Sequence, residues 1–98
     1  KAIWLATLRS GNYRQGVGKL RNSKNECCCL GVLCDIIAPS CWHGNQDGKF
    51  EHSGHEVMPS DVFLYSAGLS KDAANKLAHM NDRGKSFADI AAHIERNL

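Results

Sequence analysis

No run of apolar residues in this 98-residue chain approaches the ~18–20 that a bilayer-spanning helix needs, so no membrane span is expected. The segment Ile3–Leu8 is too short for the apolar core of a secretory signal, and no small-residue cleavage site follows it. An excess of one charge is lacking too. Twelve basic residues stand against 10 acidic ones, and a net charge of +2 does not mark a nucleic-acid or membrane-surface binder. The cysteines lack the even number and regular spacing of a disulfide framework: there are 5, and Cys27, Cys28 and Cys29 are consecutive. Free thiols pack as small hydrophobes. The chain therefore reads as a protein of the reducing cytoplasm.

Sequence signs of catalysis are also missing. Structural zinc sites bring their ligands in close pairs. Among Cys28, Cys34, Cys41 and His43 the one close mixed pair is Cys41-Trp42-His43, so no metal is expected. His43, His52, His55, His79 and His93 show no HExxH spacing. The stretch His52-Ser53-Gly54-His55 reads as a solvent-facing loop, and His79 and His93 as exposed helix flanks. A nucleophilic thiol needs a base or a helix N-terminus beside it, and nothing in the sequence orients a histidine toward Cys27. No carboxylate pair suggests acid–base hydrolysis, and no Walker or dinucleotide loop is present. The expectation is a protein without enzymatic activity and without a cofactor.

The apolar share of 43% and the charged share of 22% are those of an ordinary folded protein. Residues 1–98 suffice for one domain that buries roughly 60–70% of its unfolded surface. Helix formers fill residues 2–10, with Ala2, Leu5 and Leu8/Arg9 on one stripe, Ile3 and Ala6 flanking it, and Gly11 as the stop. Residues 11–25 are rich in Gly and Asn and read as a long loop, any strand at Tyr13–Val17 being brief. Residues 27–38 are apolar on every face. Helix and buried strand both fit, Val32, Ile36 and Ile37 leaning to the strand; the length of the segment decides for the helix. Gly31, near its middle, invites close approach by another element. Gln46-Asp47-Gly48-Lys49 is a turn signal within residues 40–58, a hairpin or irregular excursion flanked by Trp42 and Phe50. Pro59-Ser60-Asp61 opens a short helix through Tyr65 or Ser66, which Gly68 ends. Ser70 caps a helix from Lys71 to about Met80, and Asn81-Asp82-Arg83-Gly84 reads as a turn. Ser86, with Asp89 three residues on, caps a last helix. Its residues Phe87, Ile90, Ala91, Ile94 and Leu98 share one face. The expected fold is mainly α, with about four helices and a minor β-hairpin around the Cys/Leu/Val/Ile-rich central segment.

One constellation points to a ligand. Residues 1–24 hold Lys1, Arg9, Arg14, Lys19, Arg21 and Lys24 and no acid; a solvated face with a basic terminus is the ordinary reading of such a stretch. Within it, Gly11 to Gly18 form a loop that can wrap a phosphate through backbone N–H groups. Arg9, Arg14 and Lys19 supply charge, Tyr13 a stacking surface and Gln15 an amide. Asn81 and Asp82 join as readers of polar edges if their turn lies nearby. Residues 70–98 superficially resemble a helix-turn-helix, but the last helix carries Asp89 and Glu95 with only Arg96, which argues against DNA.

Three blocks carry a wider likeness. They are Trp4 with Ala6-x-Leu8-Arg9-Ser10-Gly11-x-Tyr13-x-Gln15, then Cys28-Cys29-Leu30-Gly31-Val32-Leu33-Cys34-Asp35, and last Leu77-Ala78-x-Met80-Asn81-Asp82-x-Gly84-x-Ser86-Phe87-x-x-Ile90-Ala91-x-x-Ile94-Glu95. With them the chain resembles a family of small uncharacterised bacteriophage-encoded proteins. The resemblance implies an accessory protein acting in the host bacterial cytoplasm. Compact phage proteins without catalytic signatures often act by occupancy, which sets the functional expectation. The protein would bind and sequester a small anionic, nucleotide-derived signal in counter-defence, or else act as an interaction module inhibiting a host protein. A homo-oligomer would suit either role.

Overall fold

The computed structural model describes residues 1–44 and 49–98. Helix α1, Ala2–Arg9, ends before Gly11, whose φ of +79° lies where L side chains are strained. It buries Trp4, Leu5 and Leu8. The inward face is therefore rotated from the expected stripe, and Ala2, Ile3 and Ala6 are exposed. The Trp4 indole is the largest apolar group in the helix and needs a buried acceptor for its N–H. It donates to the Cys29 carbonyl at 3.0 Å, which fixes the rotation.

The next regular element is helix α2, Cys29–Ile37, so the length criterion decided correctly over β-branched content. Cys29 through Cys34 are buried without interruption, the pattern of a helix at the centre of the molecule. The expected close approach at Gly31 occurs: a Cβ there would stand 1.9 Å from the Leu20 carbonyl oxygen. That carbonyl belongs to the long loop, which is pinned at several points. Gly16 N–H donates to Cys27 at 2.9 Å, Cys27 N–H to Arg14 at 2.9 Å, and Leu20 N–H to Glu56 at 2.8 Å. Pairing at Tyr13–Val17 is as brief as the loop reading allowed. Only the single bridge Gln15–Cys27 is made, because the chain turns at once to pair Arg21 with the same cysteine.

A 3₁₀ turn at Pro39–Cys41 leads into strand β1, Trp42–Gly44, antiparallel to β2, Phe50–His52, with Trp42 opposite His52 and Gly44 opposite Phe50. The hairpin expectation holds for these strands; the turn expected at Gln46-Asp47-Gly48 lies outside the described residues. His52 corrects another expectation. It is 1% exposed, not solvent-facing. Its ring stands edge-on to Trp42 and Phe63, at centroid distances of 5.0 and 5.1 Å, and its Nε2 lies 2.9 Å from the Ala38 carbonyl oxygen.

Helices α3 (Asp61–Ser66), α4 (Lys71–Asp82) and α5 (Phe87–Asn97) follow. Each starts as the sequence indicates. The Ser60, Ser70 and Ser86 hydroxyls accept from Phe63, Ala73 and Asp89 N–H, each at 3.1 Å. Counting the six-residue α3, the α-helices number five among the described residues, in keeping with the expected mainly α fold of about four. Helix α4 also runs two residues past Met80, so Asn81 and Asp82 form its last turn and not a connecting loop. Packing decides this: Asn81 is 0% exposed and its side chain is fully engaged. Helix α5 lays Phe87, Ile90, Ala91 and Ile94 on the core, while Leu98 lies past its end, half-exposed. The result is a single mainly α domain with α2 at its centre, touched by α1 and α4, and with α5 closing against α1 and α4. No described helix is long and apolar enough to cross a membrane.

Candidate functional site

The long loop folds into a wall, and between that wall and α2 lies a cleft of about 370 Å³. Tyr13 and Arg14 enter it from the start of the loop, with Asn12 at the rim. Arg21, Lys24 and Asn25 enter from its second half. Cys27 and Asp35 form the floor. The loop can carry these groups because Asn22 closes the turn behind them. Its side-chain oxygen accepts from Lys24 and Glu26 N–H, each at 3.0 Å, and Asn25 takes a left-handed φ of 61°, which Asn tolerates better than most residues.

Arg21 is the most constrained of the cations. Its guanidinium carbon sits 4.2 Å from the centroid of the Phe50 ring and 5.4 Å from that of Trp42. Its Nε donates to Asn25 Oδ1 at 2.6 Å. Stacking and one hydrogen bond thus use the faces and one edge of the fork. Among the described residues no carboxylate lies within ion-pairing distance of Arg14, Arg21 or Lys24. The one acid among the described residues lining the cleft, Asp35, is held by other groups: its Oδ1 accepts from the Trp42 indole N–H at 3.1 Å and its Oδ2 from the Tyr13 hydroxyl.

A model of the family described as a domain of unknown function (DUF8296) matches residues 1–73. The chain belongs to that family. The matched span takes in α1, the loop, α2, the hairpin and α3, and hence every residue that lines the cleft. No curated protein and no solved structure matches the chain.

The residues expected to form a ligand kit fall into three groups, of which Asn81 and Asp82 lie beyond the matched DUF8296 span. Tyr13 and Arg14 line the cleft. Arg9 does not: it pairs with Glu95 of α5 at 3.2 Å, an exposed contact. Lys19 is absent from the cleft lining as well. Gln15, Asn81 and Asp82 are brought together, but they serve the fold. Gln15 Nε2 donates to Asn81 Oδ1 at 3.0 Å and to the Lys85 carbonyl at 2.7 Å, while its Oε1 accepts from Phe87 N–H at 3.1 Å. Asn81 Oδ1 also accepts from Cys29 N–H at 3.2 Å, and its Nδ2 donates to the Gly16 carbonyl at 2.7 Å. Asp82 accepts from Gly18 N–H at 2.9 Å. These amides cap α2 and α5 and tie the loop to α4.

Six lining residues escaped the expected set: Asn12, Arg21, Lys24, Asn25, Cys27 and Asp35. Arg21 and Lys24 lie in the acid-free stretch, so their charge was visible, yet they stood outside the Gly11–Gly18 loop and its flanking cations Arg9 and Lys19. Asp35 was visible as the lone acid in an apolar run.

The Tyr13 phenol and the Cys27 thiol in the cleft are both held toward their protonated forms. Burial first, then the hydrogen bond to Asp35 and the Asp35 charge, push the Tyr13 phenol up to about 12, so it remains a proton donor. Burial pushes the Cys27 thiol up to about 11, against the opposing pull of Arg21. Cys28, Cys29 and Cys34 are likewise raised by burial. A thiolate nucleophile needs the opposite shift.

Proposed function

We propose that this protein binds and sequesters a small anionic, nucleotide-like molecule in the cleft, without transforming it. The single observation that carries the reading is the surplus of positive charge around one concave space: among the described residues three lining cations form no ion pair and face one carboxylate already held by two donors. Charge left unpaired over a cleft attracts anions, and an arginine held by stacking loses little freedom when it grips a phosphate. The volume is at the small end of ligand sites, roughly 300–1,000 Å³. The raised thiols support binding over catalysis. Taken with the likeness to small phage proteins, the role that fits is an accessory, counter-defence protein in the host bacterial cytoplasm that soaks up a nucleotide-derived signal.

The test is a thermal-shift and calorimetric screen with cyclic nucleotides, ADP-ribose-like compounds and pyrophosphate. At a ligand concentration 100 times Kd, stabilisation of about 2.7 kcal/mol raises the melting temperature by roughly 10–20 °C. Arg14→Ala and Lys24→Ala each weaken binding, whereas Arg9→Ala, outside the cleft, does not. No stabilisation by any anion in the screen sinks the reading.

One observation favours a second reading, an interaction module that inhibits a host protein. Val62 and Tyr65, three residues apart on α3, are 80% and 88% exposed. Replacing both with serine discriminates: loss of counter-defence activity with ligand binding intact favours the interaction module.

A further inference from the structure

Asp35 is out of place in a site built only for anions. A carboxylate on the floor of a cationic cleft repels the phosphate that the cations attract, and the cations do not neutralise it: among the described residues it forms no ion pair. It is also held from three directions. Helix α2 carries it, the Tyr13 hydroxyl from the loop donates to Oδ2, and the Trp42 indole from the hairpin donates to Oδ1 at 3.1 Å. The indole is itself fixed by the pairing of Trp42 with His52 in the sheet and by its edge contact with the buried His52 ring.

An ionised carboxylate offers about four lone-pair sites on two oxygens. Tyr13 and Trp42 take one on each oxygen, which leaves acceptor capacity on both oxygens of the one carboxylate. A partner with two adjacent donors can use both at once.

We infer that Asp35 sets the specificity of the cleft by requiring a pair of adjacent hydrogen-bond donors on the phosphorylated ligand, either a vicinal diol or an amidine-type N–H pair. This rests on the anion-binding reading of the cleft. Unpaired phosphate and simple dianions are disfavoured by the carboxylate, while a ligand bringing both a phosphate and paired donors satisfies Arg14, Arg21, Lys24 and Asp35 together. Asp35 is half-buried, and a ligand filling the cleft over it desolvates it further, so an analogue that leaves its acceptors unpaired is rejected more strongly than one that merely loses contact area.

The probes are four mononucleotides, GMP, dGMP, AMP and dAMP, with pyrophosphate as an anion that has neither the diol nor the N–H pair, each titrated calorimetrically. GMP offers the diol and the N1–H/N2–H pair, AMP the diol alone, dGMP the N–H pair alone, and dAMP neither. At least one of AMP and dGMP is expected to bind ten or more times tighter than dAMP. Which of them does so separates ribose recognition from base-edge recognition. Asp35→Asn keeps the volume but replaces one acceptor by a donor, and it is expected to reduce that discrimination to within twofold. Binding of all four nucleotides within twofold by the unmodified protein overturns the inference without reference to any variant. So does persistence of the discrimination in a folded Asp35→Asn protein. Tight pyrophosphate binding with no nucleotide preference overturns the role of Asp35 and leaves the anion cleft standing. Failure of every anion, pyrophosphate included, overturns both.

Discussion

Asn81 shows how one amide can be read in two ways. In the sequence it stands beside Asp82 as a polar pair suited to a ligand, and Gln15 stands in a basic loop suited to the same purpose. The structure does bring Gln15 and Asn81 together, at 3.0 Å, but to satisfy each other and the backbone. An amide carries the same donors and acceptors whether its partner is a nucleotide or the chain's own backbone, so residue type alone could not separate the two. Asn81→Ala leaves Cys29 N–H, the Gly16 carbonyl and part of Gln15 without partners in a dry region. The expected cost is about 2–4 kcal/mol, read from the denaturation midpoint in urea. Were Asn81 a ligand contact instead, the variant would lose binding and keep its stability.

At the scale of elements, what was legible is what is local. The serine starts of α3, α4 and α5 need only the residues within one turn, and all three form as expected. Ser86→Ala removes one such bond and should cost about 1 kcal/mol, lowering the melting temperature by roughly 4–8 °C. A shift below about 1 °C would mean that the Gln15 bond to Phe87 N–H does the capping alone. The misread elements are those decided by distant partners. The face of α1 turns on a carbonyl 25 residues away, and the end of α4 on contacts to the loop 65 residues back. His52 looked like a loop histidine because Gly54 and Ser53 surround it, and nothing nearby showed that Trp42 and Phe63 would cover its ring. The cleft follows the same rule. Its cations were visible as a charge-biased stretch, but their sorting into cleft and surface depends on how the loop docks on α2, through the Leu20 carbonyl over Gly31.

The whole molecule is organised around four buried sulfurs. Cys27, Cys28, Cys29 and Cys34 are buried, and burial raises each thiol above its ordinary value near 9. The unfolded chain releases these protons near their ordinary value, while the folded protein holds them to higher pH. Stability is therefore fully present below about pH 9 and declines as pH rises toward 11, with Tyr13 adding its share between about 10 and 12. Urea midpoints should stay flat on the thiols' account from pH 7 to 8.5 and fall above 9, and Tyr13→Phe should flatten the upper part of the decline. The same burial governs reactivity, because a thiol reagent attacks the thiolate and must reach it. Cys41, half-buried beside the hairpin, should be labelled first. Cys27, on the cleft floor, should follow slowly and be protected by a bound anion. Cys28, Cys29 and Cys34 should react only through opening of the central helix, at a rate that denaturant accelerates in step with unfolding. Mass spectrometry of the native protein after brief exposure to reagent counts the modified sulfurs. Prompt modification of Cys28, Cys29 or Cys34 would show that α2 opens independently of the core and does not act as its centre.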